Sequence, residues 1–176
     1  MQFQQFQRQM QQQVQQTLGQ LQAEQQKAAD DAAARDAQER EQQASAEAAA
    51  QIAEQTAQRE MMIAKTAFES ESIYFDFDSS ALSPVAQSVL SNKAAYMRDN
   101  PGTQVIIEGH CDERGTPEYN LALGDRRAES AKSFLVNLGL DASRFTTVSY
   151  GEENPAATGS NEDAWSQNRR AKFLIE

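Results

Sequence analysis

The chain has 176 residues, enough for one domain with an appendage, and a net charge of −10. Acids exceed bases in both parts, 11 against 6 over residues 1–71 and 15 against 10 over residues 72–176. No block of Lys or Arg occurs, which excludes a nucleic-acid footprint and any pull toward an anionic membrane surface. A single cysteine excludes an internal disulfide, and no apolar run reaches the roughly 18 residues that span a bilayer.

Residues 1–71 are dominated by Gln, Ala and Glu and contain no Pro. Within Met1 to Leu21, the large apolar residues Phe3, Phe6, Met10, Val14, Leu18 and Leu21 recur about once per helical turn. This stripe fits two readings: a coiled-coil seam that makes homo-oligomers, or a marginal helix in a polar tract. The segment has neither the charged start nor the apolar stretch of a signal peptide. From Glu24 to Gln58 the residues are mostly strong helix formers. The pairs Asp31/Arg35 and Asp36/Arg40 sit four apart with the acid first, the favoured order. A solvated helical spacer is expected, loosening at Glu69-Ser-Glu-Ser72.

Ile73 to Asp78 alternates, with Ile73, Phe75 and Phe77 on one face, and predicts a half-buried strand. Ser83 and Pro84 open a helix expected to bury Leu82, Val85, Val89 and Tyr96 and to stop before Asn100-Pro-Gly102. Thr103 to Asp112 predicts a second strand that runs into a Gly/Pro loop. A long helix follows from about Glu118 to Asn137, with Gly139 placed to cap it. Arg144 to Tyr150 and Arg170 to Ile175 predict two more strands, with a short helical turn near Ala164 between them. The order implies an α/β two-layer sandwich: β-α-β-α-β-β, a small mixed sheet with two helices on one face. The division expected is a tail over 1–71 and a folded domain over 72–176.

On the long helix Gly124, Ala128, Ala131, Phe134, Leu135 and Leu138 form the apolar stripe. Arg127 falls on that stripe, whereas Arg126 points to solvent. A charge there needs an acid or a ligand, and Asp112, at the strand end, is the acid best placed. A buried Asp–Arg pair that only ties loop to helix fits the pattern equally well. Position at a strand's carboxyl end, beside a helix N-terminus, favours a ligand. An arginine fork suits a carboxylate and an aspartate suits an ammonium, so the two poles describe a pocket for an amino-acid-like zwitterion.

His110 and Cys111 are neighbours on a strand and point to opposite faces, so they form no catalytic dyad. Cys111 reads as a small buried residue, and His110 as a neutral one packed against the helix layer. Glu108, His110 and Asp112 share a face, thin grounds for a metal, and neither a metal nor a cofactor is expected. One arginine of Asn168-Arg-Arg170 is expected to pair with an acid of the core or pocket. Trp165 and Tyr150 either flank the site or serve as core aromatics.

The run Gly109-His-Cys-Asp-Glu-Arg-Gly-Thr-Pro-Glu-Tyr-Asn-Leu-Ala-Leu-Gly-Asp-Arg-Arg-Ala128 resembles the signature of the C-terminal domain of outer-membrane protein A. Within that family it looks like the peptidoglycan-associated lipoprotein branch. Tyr74-Phe-Asp-Phe-Asp78, Val148-Ser-Tyr-Gly-Glu152 and Asn168-Arg-Arg-Ala171 fall where the family has its other motifs. The resemblance implies non-enzymatic, non-covalent binding of peptidoglycan through the diaminopimelate of its stem peptide. It places the family's aspartate and arginine on Asp112 and Arg127, with Asp78, Phe77, Thr116, Asn120 and Leu123 nearby. It also implies a periplasmic, outer-membrane-associated protein. A further implied partner is the periplasmic propeller protein of the Tol system. Cys111 lies inside the domain and is not a lipidated N-terminal cysteine.

Overall fold

A computed structural model describes residues 2–176. The chain forms two compact units, one ending at Gln58 and the other Arg59–Glu176. The described residues of the first lie within a single helix, α1 (Gln2–Ser70), and all of them are exposed. Phe3, Phe6, Met10, Val14, Leu18 and Leu21 are each about half exposed or more. Side chains four apart support the helix, as where Gln26 donates to Asp30 at 3.0 Å.

The second unit takes in the last turns of α1, so it begins earlier than the change of composition at Ser72. Phe68 is buried, against Tyr96 at 5.0 Å and edge-on to Phe173 at 6.4 Å between ring centroids. The buried Lys93 ammonium donates to the Phe68 carbonyl and sits over the Phe68 and Phe173 rings, 4.4 and 4.7 Å from their centroids. Strand β1 (Ile73–Tyr74) follows, then helix α2 (Pro84–Asp99), strand β2 (Val105–His110) and helix α3 (Pro117–Asn137). The chain closes with strand β3 (Phe145–Gly151), helix α4 (Glu162–Asn168) and strand β4 (Arg170–Ile175). The four strands make one mixed sheet in the order β1-β4-β2-β3, with β2 and β3 parallel and β4 antiparallel to both its neighbours. Helices α2 and α3 pack on one face, over Val105, Ile107, Ala171 and Phe173. This is the two-layer α/β sandwich with a long N-terminal helix that the element order implies.

Two local expectations are corrected. The first strand does not reach Asp78. After β1 the Phe75 N–H still donates to the Arg169 carbonyl at 2.9 Å, but Asp76–Ser79 then turns and Asp78 takes φ 52°. Aspartate tolerates this left-handed geometry better than most residues. Phe77 is thereby swung out to 57% exposure instead of joining Ile73 and Phe75 in the core. On α2, Val85 is 74% exposed, and the buried face is Ala86, Leu90, Lys93, Ala94 and Met97. Small residues let α2 lie close to the sheet, and Val89 and Tyr96 border that face.

Capping follows the residues expected: the Ser83 hydroxyl accepts from the Ala86 N–H at 3.1 Å. The Thr116 hydroxyl accepts from the Tyr119 N–H at 3.2 Å, with Pro117 in the first turn. Gly139 takes φ 93° just past α3. Helix α3 meets β2 backbone to backbone, because Gly109 and Gly124 face each other. A Cβ on Gly109 would lie 1.8 Å from the Gly124 carbonyl oxygen. That contact fixes where the first turns of α3 stand relative to the end of β2.

Candidate functional site

The end of β2, the loop after it, the first turns of α3 and the turn after β1 enclose a cavity of about 190 Å³. Its walls include Asp112, Arg127, Asp78, Phe77, Asn120 and Leu123. Of the seven residues singled out in the sequence, six therefore line one space. Thr116 does not line it and uses its hydroxyl to cap α3.

Arg127 has no exposed surface. The direct ion pair expected with Asp112 is absent among the described residues. Instead Arg127 Nε donates to the Ser79 carbonyl at 2.8 Å, Nη1 to the His110 carbonyl at 2.8 Å and Nη2 to the Asp76 carbonyl at 3.1 Å. Nη1 also approaches Cys111 Sγ at 3.4 Å. The turn after β1 exists in the shape needed to aim two carbonyls at this guanidinium. Burial pulls the Arg127 pKa below its ordinary value, and Cys111 and Asp112 act against that shift. Five N–H groups meet four such acceptors, which leaves one Nη2 hydrogen without a partner among the described residues.

Asp112 is 4% exposed and meets two other arginines. Its Oδ1 accepts from the backbone N–H and Nε of Arg114 at 3.1 and 3.2 Å. Its Oδ2 accepts from Arg114 Nη2 at 2.7 Å and from Arg169 Nη1 at 3.3 Å. Burial pushes the carboxyl up, but the Arg114 and Arg169 hydrogen bonds outweigh it and hold the pKa below the usual value. Arg169 is the arginine of the Asn168–Arg170 run that meets the pocket acid, and it also reaches Glu162 at 2.6 Å. Arg114 reaches Asp112 because a short Asp-x-Arg turn doubles back on the carboxylate, with Gly115 at φ 118° allowing the sharp bend.

Asn120, 1% exposed, donates from Nδ2 to the carbonyls of Asp112 and Arg114, each at 3.2 Å, and so ties the loop to α3. The Tyr119 hydroxyl donates to Asp78 at the cavity rim. Trp165 stacks on Arg114, at 4.1 Å from Cζ to the ring centroid, and its indole N–H donates to Glu113 at 3.1 Å. Trp165 therefore flanks the site and Tyr150 does not.

Tyr150 stacks on His110 at 5.5 Å between ring centroids, with the planes 17° apart. His110 thus packs on the neighbouring strand and not on the helix layer, a correction that follows from its lying on the side of β2 away from α3. Both its ring nitrogens are buried with no hydrogen-bond partner. Cys111 Sγ lies 3.2 Å from the Asn120 carbonyl, and burial raises its pKa. Arg114, Gly115, Tyr119 and Cys111 line the cavity although the sequence did not single them out for it.

The OmpA family model matches residues 74–169, more than half of the chain. The peptidoglycan-associated lipoprotein of Haemophilus influenzae is 49% identical over 100 residues, covering 57% of this chain and 65% of the relative. The match thus spans just under two thirds of that relative's length. Among solved structures, the peptidoglycan-associated lipoprotein from Burkholderia pseudomallei is 44% identical with a TM-score of 0.58, over 60% of this chain and 89% of that one. The cell wall anchor of the T6SS from Pseudomonas aeruginosa is 29% identical with a TM-score of 0.50, over 58% and 75%. On the sheet order, the cavity at the end of β2 and the family match, the chain belongs to the OmpA family.

Proposed function

We propose that the C-terminal unit is a non-enzymatic module that binds peptidoglycan non-covalently through the diaminopimelate of its stem peptide, in the periplasm. It thereby ties the cell envelope to the wall. One observation carries this reading: a buried arginine with a spare N–H and two aspartates, Asp78 and Asp112, face one amino-acid-sized cavity. A carboxylate meets the Arg127 fork and an ammonium meets the carboxylates, so the free zwitterionic end of diaminopimelate satisfies both poles. The names of the relatives, a peptidoglycan-associated lipoprotein and a cell wall anchor, point to the same polymer.

The test is co-sedimentation with insoluble diaminopimelate-type peptidoglycan. Asp112→Asn keeps the shape of the side chain and removes its charge. It is expected to weaken binding by roughly 2–5 kcal/mol, the usual cost of removing one partner of a buried charge pair. Arg127→Lys keeps the charge and loses the fork, and is expected to fall in the same range. Variants that sediment with the polymer as well as wild type would refute the site. A second reading, an oligomerising scaffold of the cell envelope, is favoured by the apolar stripe Phe3 to Leu21, all of it about half exposed or more. A pure scaffold would stay in the supernatant of the same assay.

A further inference from the structure

In this structure Asp112 is fully occupied. A carboxylate has about four acceptor positions, and the backbone N–H, Nε and Nη2 of Arg114 with Nη1 of Arg169 take four. A ligand ammonium cannot reach it while Arg114 stays in place. Arg169 cannot leave easily: it is 7% exposed and is also held by the Phe75 carbonyl at 2.9 Å and by Glu162. Arg114 is different. It rises from a loop, its side chain is 29% exposed, and among the described residues its polar contacts are Asp112 and a 3.8 Å approach to Glu162.

The surroundings of Arg114 are those of a cation subsite. Its guanidinium carbon lies 3.9 Å from the Phe77 ring centroid and 4.1 Å from that of Trp165, with the Asp112 carboxylate at its edge. Two ring faces and a carboxylate attract any cation placed between them. Phe77 is 57% exposed, so its ring serves no core, and the turn that swings it outward sets it against this space.

We propose that Arg114 is an internal stand-in for the ligand's cationic group, and that an alkylammonium displaces it to lie on Asp112 between Phe77 and Trp165. This rests on the reading of Asp112 as the pole for an ammonium. Arg114 is then an internal competitor that keeps Asp112 paired in the free protein. Ligand affinity is reduced by the fraction of molecules in which Arg114 is seated.

Trp165 is the only tryptophan in the chain and stacks on Arg114, so its fluorescence reports the displacement. The experiment titrates the full chain with a soluble stem peptide carrying diaminopimelate, for wild type, Arg114→Ala, Arg114→Gln and Asp112→Asn. Affinity is followed by calorimetry and Trp165 by its emission. Wild-type emission is expected to change on binding. Both Arg114 variants are expected to bind about tenfold tighter, the effect of releasing a site that is about one-tenth open. Their ligand-free emission should already differ from that of the free wild type, because Arg114 no longer stacks on Trp165. Equal or weaker binding by both Arg114 variants overturns the proposal, as does wild-type emission that stays unchanged on binding. If the peptide binds but the Arg114 variants do not tighten, the stand-in falls and the binding function stands. If wild type does not bind, or Asp112→Asn binds as well as wild type, the underlying reading falls and this proposal falls with it.

Discussion

Arg127 and His110 are both buried polar residues of the same neighbourhood, and they are settled in opposite ways. Arg127 keeps its charge because three backbone carbonyls surround it, so no carboxylate is needed to hold it in place. His110 has no hydrogen-bond partner, and Glu108 stands 3.6 Å away, beyond hydrogen-bond reach. Burial, helped by Arg170 and Lys172, lowers its pKa from 6.5 to about 4. The sign of the linkage follows: between pH 6.5 and 4 the unfolded chain binds a proton that the folded chain refuses. Stability therefore rises with pH across that window and is lost as the medium is acidified, by roughly 3 kcal/mol at most for a shift of this size. His110→Phe preserves the stack on Tyr150 and strands no hydrogen bond. Urea denaturation at pH 7 and pH 4 is expected to show a smaller acid loss in His110→Phe than in wild type, with little difference at pH 7. An equal acid loss in the two proteins would mean that His110 is not the group responsible.

The contact between β2 and α3 shows what was legible in the sequence and what was not. The 3.6-residue period places Arg127 on the buried stripe, and the strand's length places Asp112 at its end, so both cavity walls could be read from pattern. Arg114 could not, because a loop residue has no period and its direction depends on a left-handed glycine and a capped helix start beside it. The outward face of Phe77 was hidden for a related reason: alternation continues in the sequence after the strand itself has turned. On α2 the pattern points to a face of Val85, Val89 and Tyr96, whereas the helix is rotated to bury Ala86, Leu90, Lys93, Ala94 and Met97 and leaves Val85 in solvent. The Gly109–Gly124 contact carries a direct consequence. A methyl group on Gly109 would meet the backbone of Gly124, not a side chain able to move aside. Gly109→Ala is therefore expected to cost about 3 kcal/mol or more, at the upper end for overpacked sites. It should also weaken peptidoglycan binding, since α3 carries Arg127. Chemical denaturation that places the variant within 1 kcal/mol (roughly the scatter of tolerated core changes) of wild type would show that the two elements have freedom to separate.

At the scale of the whole chain, the two units are separate in folding. No described residue before Phe68 belongs to the core cluster, so the folding of the second unit does not depend on residues 2–58. A chain beginning at Arg59 is expected to unfold at the same denaturant midpoint as the full chain. One beginning at Ser72 loses Phe68 and uncovers Tyr96, Phe173 and Lys93, for a cost of roughly 3–5 kcal/mol, the range for removing a buried Phe. We propose that residues 2–58 supply valency. The stripe Phe3, Phe6, Met10, Val14, Leu18 and Leu21 repeats at three- and four-residue steps, the spacing that joins helices along a seam. Peptidoglycan presents the same stem peptide many times, and linked sites gain avidity with no new contact at any one of them. Deleting residues 1–58 is therefore expected to leave affinity for a soluble stem peptide unchanged, to reduce the sedimentation mass of the protein to that of a monomer, and to weaken retention on the insoluble polymer by an order of magnitude or more, within the gains linkage provides. Retention that survives the deletion intact would assign residues 2–58 to spacing alone.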